Sequence, residues 1–186
     1  MRMLVRFWLT LAALVAVQAT TLQRLSLDEM IQQSTSVVRA TVKGSYSALR
    51  GQDIWTFYQL QVAETLKSGG PGAGTSLDVA VPGGTVQGVR QAIAGAPALA
   101  PGTEYVMFLW TSRSGLTQVI GLSQGLFLVT RDGAGNSVLT RPAAAATMLD
   151  QNGNPVTDQA VSLSLSGLRS RVQQRPTARG AQEAVK

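Results

Sequence analysis

Runs of alternating apolar and polar residues dominate the middle of this chain, and a period of two commits a segment to strand because successive side chains face opposite sides of a sheet. Val38, Ala40 and Val42 alternate with Arg39, Thr41 and Lys43. From Ile54 to Leu66 the pattern is longer: Ile54, Thr56, Tyr58, Leu60, Val62 and Leu66 share one face, with Gln59, Gln61 and Thr65 opposite. Trp55 and Phe57 interrupt the polar face, which predicts that the start of this strand is covered on both sides. Leu77, Val79 and Val81 alternate with Asp78 and Ala80. Residues 105–110 are apolar throughout, as in a central strand or one wrapped by a helix. Shorter strands are expected at 119–122, 126–130 and 138–140, the last set off by the turn Asp132-Gly133-Ala134-Gly135-Asn136.

Helical signals sit at the two ends of this region. Ser26 lies three residues before Glu29, the spacing of a capping box, and Leu27, Met30 and Ile31 supply an apolar stripe for a two-turn helix ending near Ser34. Leu165, Leu168 and Val172 recur at helical spacing, with Ser164 or Ser166 as N-cap. Residues 143–149 read as one or two helical turns. Segments 67–76 and 82–102 are dense in Gly, Pro and Ala and read as loops; the second, at 21 residues, is longer than most connections within a domain. The order is helix, six or seven strands, helix, without regular strand–helix alternation. It argues against a doubly wound sheet and for a mainly β fold, a small barrel or a sandwich, carrying a short N-terminal and a C-terminal helix.

The N-terminus has the charged, apolar and small-residue regions of an export signal: Arg2 and Arg6, an apolar run at 7–17 broken only by Thr10, then Val17-Gln18-Ala19. That run covers 11 residues, against about 20 for a membrane-spanning helix. The expected organisation is a signal peptide at 1–19, one β-barrel-like domain at 20–175 and a disordered basic tail at 176–186. The product is then periplasmic or secreted, without integral membrane insertion after cleavage. Removing 19 of 186 residues leaves 167, enough for a substantial core without disulfides. With no cysteine in the chain, packing and backbone hydrogen bonds must supply the stability.

The formal charge of +6 is unevenly placed. Arg2 and Arg6 belong to the leader, and Arg169, Arg171, Arg175, Arg179 and Lys186 cluster at the end, leaving nine charges of each sign between Thr20 and Leu168. A nucleic-acid reader carries its basic residues on a folded face, so nucleic acid is not an expected partner.

The absence of histidine and cysteine removes whole chemistries. Zinc sites, Ser-His-Asp and Cys-His nucleophiles, haem and iron–sulfur ligation all lack their usual side chains. A serine–lysine dyad has only Lys43 and Lys67 to draw on within the body. No catalytic residue, metal or cofactor is expected. Glu64 and Glu104 are the candidate pair for carboxylate-only hydrolysis of a glycan, although both fit more simply on the exposed face of a strand or at its end. The turn at 132–136 lacks the further acidic positions of a calcium loop. Pro82-Gly83-Gly84-Thr85, followed by Gly88, matches neither a dinucleotide fingerprint nor a phosphate loop. It reads as a turn ending a strand, or as part of a binding loop. Trp55 and Trp110 are the candidate binding aromatics if they prove exposed.

Taken together, Leu27-Asp28-Glu29-Met30, the run 34–42, the run 56–66, Val79-Ala80-Val81-Pro82-Gly83-Gly84 and the run 101–109 resemble a group of uncharacterised exported bacterial proteins. That group is similar to the OB barrel of netrin-like modules and tissue inhibitors of metalloproteinases. The resemblance spans about residues 26–141 and implies a small OB-like barrel. Those inhibitors place an N-terminal cysteine on a protease zinc, a route closed to a chain without cysteine. The resulting expectation is an exported, non-catalytic interaction or scaffolding module whose partner is an envelope or extracellular protein or glycan. A carboxylate-only hydrolase and a glycan- or peptide-binding module are the alternatives.

Overall fold

The computed structural model describes residues 21–67, 69–144 and 147–174, so the leader at 1–19 and the basic tail at 176–186 lie outside the described residues. A two-residue strand, β1 (Leu22–Gln23), precedes helix α1 (Leu27–Gln33). The capping box forms in full: the Glu29 amide donates to the Ser26 hydroxyl at 3.2 Å, and the Ser26 amide donates to the Glu29 carboxylate at 2.8 Å. At the other end Lys67 Nζ donates to the carbonyls of Ile31 (2.7 Å), Gln32 (3.3 Å) and Ser34. Those acceptors have no helical partner, and a cation there also suits the negative end of the helix.

The alternating run at Val38 is part of a 15-residue strand, β2 (Ser36–Arg50), which reverses at Gly51 and Gln52 into β3 (Asp53–Thr65). Then follow β4 (Ser76–Pro82), a small hairpin of β5 (Gly84–Val86) and β6 (Val89–Gln91), and β7 (Glu104–Thr111). Next come β8 (Thr117–Val119), β9 (Leu126–Arg131) and β10 (Ser137–Arg141). The chain continues through β11 (Met148–Leu149), β12 (Pro155–Val156), β13 (Val161–Ser164) and helix α2 (Leu165–Gln174). The Gly167 amide donates to the Ser164 hydroxyl at 3.0 Å, making Ser164 the cap of α2.

One antiparallel sheet carries the order β13-β10-β9-β7-β2-β3-β4, with β8 also paired to β7. This corrects the expected OB-like barrel. Closure requires a ladder from β4 back to β8 or β9; β4 comes near β8, but no ladder joins them among the described residues. The outer edge of β7 is shared: Leu109–Thr111 pair with the three-residue β8, while Tyr105–Met107 pair with β9. From β9 the sheet then grows outward through β10 and β13, so it remains open. The sandwich alternative also fails. The remaining sheets are the three-stranded β1-β11-β12 and the two-stranded β5-β6, and one face of the main sheet is covered by helices.

Two buried clusters lie on opposite faces. Val38, Ala40, Val42, Leu60, Val62, Val79, Val81, Met107 and Leu109 form one, closed by Val119 and by Leu99 from the segment after β6. On the other face Val37, Val106, Phe108, Phe127 and Leu139 pack against Met30 and Ile31 of α1 and Leu165, Leu168 and Val172 of α2. Strand β7 is therefore buried on both sides, which explains its unbroken apolar run. Bulges at Ala63 and Lys43 shift the phase of the long hairpin. As a result Leu66 packs on the helix side rather than on the face of Val62.

Other expectations need correction. Trp55 and Phe57 are half-buried and belong to neither cluster; instead Phe57 stacks on Tyr46 with ring centroids 5.2 Å apart. Segment 82–102 contains the β5–β6 hairpin. The expected strand at 119–122 ends at Val119, because Gly121 and Leu122 take left-handed angles (φ 60° and 62°). Residues 148–149 are strand rather than helix.

Candidate functional site

The turn after β4 builds a concave surface. Strands β5 and β6 are joined by Gln87 and Gly88, both at positive φ (49° and 81°), as a two-residue hairpin turn with the right twist requires. The hairpin folds onto the arm made by the distal halves of β2 and β3. Gly84 crosses so closely that a Cβ there would lie 2.6 Å from both the Ser47 and Thr56 hydroxyls. Ile54 donates its amide to Gln91 Oε1 at 2.6 Å, and the Thr56 hydroxyl donates to the Gly83 carbonyl at 2.8 Å. Beyond β6 the chain returns over the sheet, with Leu99 buried and Ala96 packed against the same cluster.

Between the hairpin, this returning segment and strands β3 and β4 lies a cleft of about 450 Å³. Pro82, Gly83, Gly84 and Thr85 line it; Gly88 does not, being at the hairpin tip. Arg90 is the only charged side chain on its lining, which sequence reading did not single out. Its guanidinium is exposed and has no hydrogen-bond or ion-pair partner among the described residues, and neither do the Tyr58 and Thr85 hydroxyls. The signal was present in the sequence only as a lone arginine within a segment otherwise poor in charge.

The two tryptophans do not converge on this cleft. Trp110, 45% exposed, lines a separate groove of about 440 Å³ with Leu22, Gln33, Gln118 and Leu122. Trp55 lines neither cavity; it pairs across the sheet with Ala48 and Pro82 on the arm.

Glu64 and Glu104 are brought together, though as parts of an ion network. Arg39 bridges them, with Nε 3.1 Å from Glu64 Oε2 and a terminal nitrogen 2.7 Å from Glu104 Oε1. Arg169, carried by α2, grips Glu64 with two bonds of 2.7 and 2.8 Å. The Arg169 hydrogen bonds lower the Glu64 pKa; burial opposes this, and Arg39 adds to the lowering. A glycosidase acid needs its pKa raised, so Glu64 is held in the opposite state. A cleft of about 560 Å³ beside this network is lined by Arg39, Arg131, Asp132 and Arg169; Arg39 and Arg169 are paired with Glu64 and Glu104, and Arg131 donates to the Gly135 carbonyl at 3.0 Å.

Asp132 is consumed by its own turn, accepting the amides of Ala134 (2.9 Å) and Asn136 (2.8 Å) and the Asn136 side chain (3.1 Å). Asp150 repeats the arrangement with Asn152 (2.9 Å) and Asn154 (2.8 and 3.2 Å). These are two copies of one five-residue turn, Asp-x-x-Gly-Asn, joining β9 to β10 and β11 to β12. The repeat is visible in the sequence once its geometry is known. Among the described residues no group of three or more acidic, histidine or cysteine side chains is placed to hold a metal. Lys67 is engaged by the carbonyls at the end of α1, so it cannot serve as the base of a serine–lysine dyad.

No helix among the described residues is long and apolar enough to cross a membrane. No protein-family model matches the chain, and no curated protein matches it significantly.

Proposed function

We propose that this protein is an exported, non-catalytic binding module acting in the periplasm or outside the cell, and that the cleft beneath the β5–β6 hairpin is its binding surface. The observation that carries the reading is the construction of that cleft. A segment with few apolar side chains is folded into a hairpin, pinned by Gln91 and Thr56, and left with an unpaired guanidinium facing a concave surface. Its volume lies within the range of sites for small ligands and peptide termini. The signal-like start and the likeness to exported bacterial proteins support the compartment. The consumed state of Glu64, Asp132 and Lys67 supports a role without catalysis.

The test is a panel of short peptides and envelope glycans presented to the wild-type protein and to Ala98→Trp, which fills the cleft from an exposed lining position. Ligands retained by the wild type and lost by the variant are expected. A panel bound identically by both proteins removes the cleft from consideration.

A further inference from the structure

We infer that the cleft recognises the free carboxylate end of a peptide whose terminal residues are small and apolar. This rests on the cleft being the binding surface. Its polar groups divide into two sets. The Gln91 carboxamide and the Thr56 hydroxyl are already engaged, with Ile54, Asp53, Ser47 and Gly83. Arg90, Tyr58 and Thr85 are not. The free set is thus one planar guanidinium, able to hold a carboxylate through two parallel bonds, and two hydroxyls.

No carboxylate lines the cleft, so an anionic ligand meets Arg90 without a competing like charge. The three-arginine cleft near α2 differs on this point, because Arg39 and Arg169 are already paired with Glu64 and Glu104 and the Asp132 carboxylate lines that cleft beside Arg131. The apolar lining consists of Val81, Ile93, Ala96 and Pro97 with neighbouring alanines. These offer shallow contacts suited to small side chains rather than a deep slot for an aromatic ring. Anchoring also matters: the hairpin that carries Arg90 is clamped at the next residue, Gln91, so less side-chain and loop freedom is lost on binding.

The experiment uses fluorescein-labelled tetra-alanine with a free C-terminus and the same peptide as its C-terminal amide, titrated against purified protein by fluorescence polarisation. Saturable binding of the free acid is expected, with the amide at least about tenfold weaker, as loss of a charge-assisted bidentate contact implies. Arg90→Gln should lose the free acid by a similar factor, and Arg90→Lys should retain part of it. Equal affinity for acid and amide overturns the proposal, as does an Arg90→Gln variant that binds like wild type or an absence of saturable binding up to about 1 mM peptide. Stronger displacement by inorganic phosphate than by acetate also overturns it, since the site is then a phosphate site. If these arms fail while Ala98→Trp still abolishes other ligands of the panel, the carboxylate assignment falls and the cleft survives. If Ala98→Trp abolishes nothing, both fall.

Discussion

Replacing Asp158 by Asn should destabilise the protein strongly at neutral pH and less in acid. Asp158 precedes β13 and faces Arg141 at the end of β10; their side chains are 1% and 6% exposed and joined by bonds of 2.5 and 3.1 Å. Asp158 also accepts the Ala144 amide at 2.8 Å, and Arg141 donates to the Gln159 carbonyl at 3.3 Å. The pair thereby ties the segment between β10 and β13 to the sheet. Burial alone raises the Asp158 pKa, but the Arg141 hydrogen bonds, the Ala144 amide and the Arg141 charge outweigh it and bring it from 3.8 to about 2. A depressed carboxylate stabilises the fold above its unfolded pKa and loses that contribution as pH falls through the folded value. A shift of this size corresponds to about 2.5 kcal/mol, of which about 1 kcal/mol is gone by pH 3.

The Asn variant leaves Arg141 buried without its counter-ion, and the Nε of that same guanidinium already lacks a hydrogen-bond partner among the described residues. Its cost at pH 7 should be about 3–5 kcal/mol. Urea unfolding followed by tryptophan fluorescence should then show a midpoint lower by about 2 M, taking a slope of about 2 kcal/mol per molar. At pH 3 the gap between wild type and variant should narrow by about 1 kcal/mol. Replacing both partners, Arg141→Met with Asp158→Leu, should recover most of the loss because no buried charge is left unpaired. A cost below about 1 kcal/mol at pH 7, or an equal cost at both pH values, would refute the assignment of this pair as the clamp.

Lys67→Met should cost about 1–2 kcal/mol in the same assay, because the carbonyls of Ile31, Gln32 and Ser34 lose the ammonium donor, and among the described residues only that of Ile31 keeps another, the Ser34 hydroxyl at 3.1 Å. Gly84→Ala and Gly88→Ala should separate sharply although both glycines have positive φ. At Gly88 nothing lies within 4 Å of the added methyl, so about 1 kcal/mol of backbone strain is expected. At Gly84 the methyl meets two hydroxyls, and the hairpin should move and lose the cleft's ligands. Glu64→Gln should destabilise by about 1 kcal/mol, with the difference shrinking in high salt, since the network is half-exposed and screened. A difference unchanged by salt would count against an electrostatic origin.

Local chemistry was legible in the residues themselves. The capping box at Ser26 and Glu29, the stripe Leu165–Leu168–Val172, the strands at Val38, Leu60 and Val79 and the turn at 132–136 follow from periodicity, propensity and caps, all set by near neighbours. What failed depended on distant ones. Whether the sheet closes is decided by which strand takes the outer edge of β7, and residues 119–131 give no local sign that two strands divide it. The phase of Leu66 turns on a bulge at Ala63, which leaves the alternating pattern intact in the sequence. The site follows the same division. Gly83, Gly84 and Thr85 announce a turn, but only the packing of that turn over Ser47 and Thr56 makes it one wall of a cleft. Arg90 gains its place for a reason no sequence pattern records: Arg39, Arg141 and Arg169 meet carboxylates across the fold, whereas the β5–β6 hairpin sets Arg90 on the lining of a cleft with no such partner among the described residues.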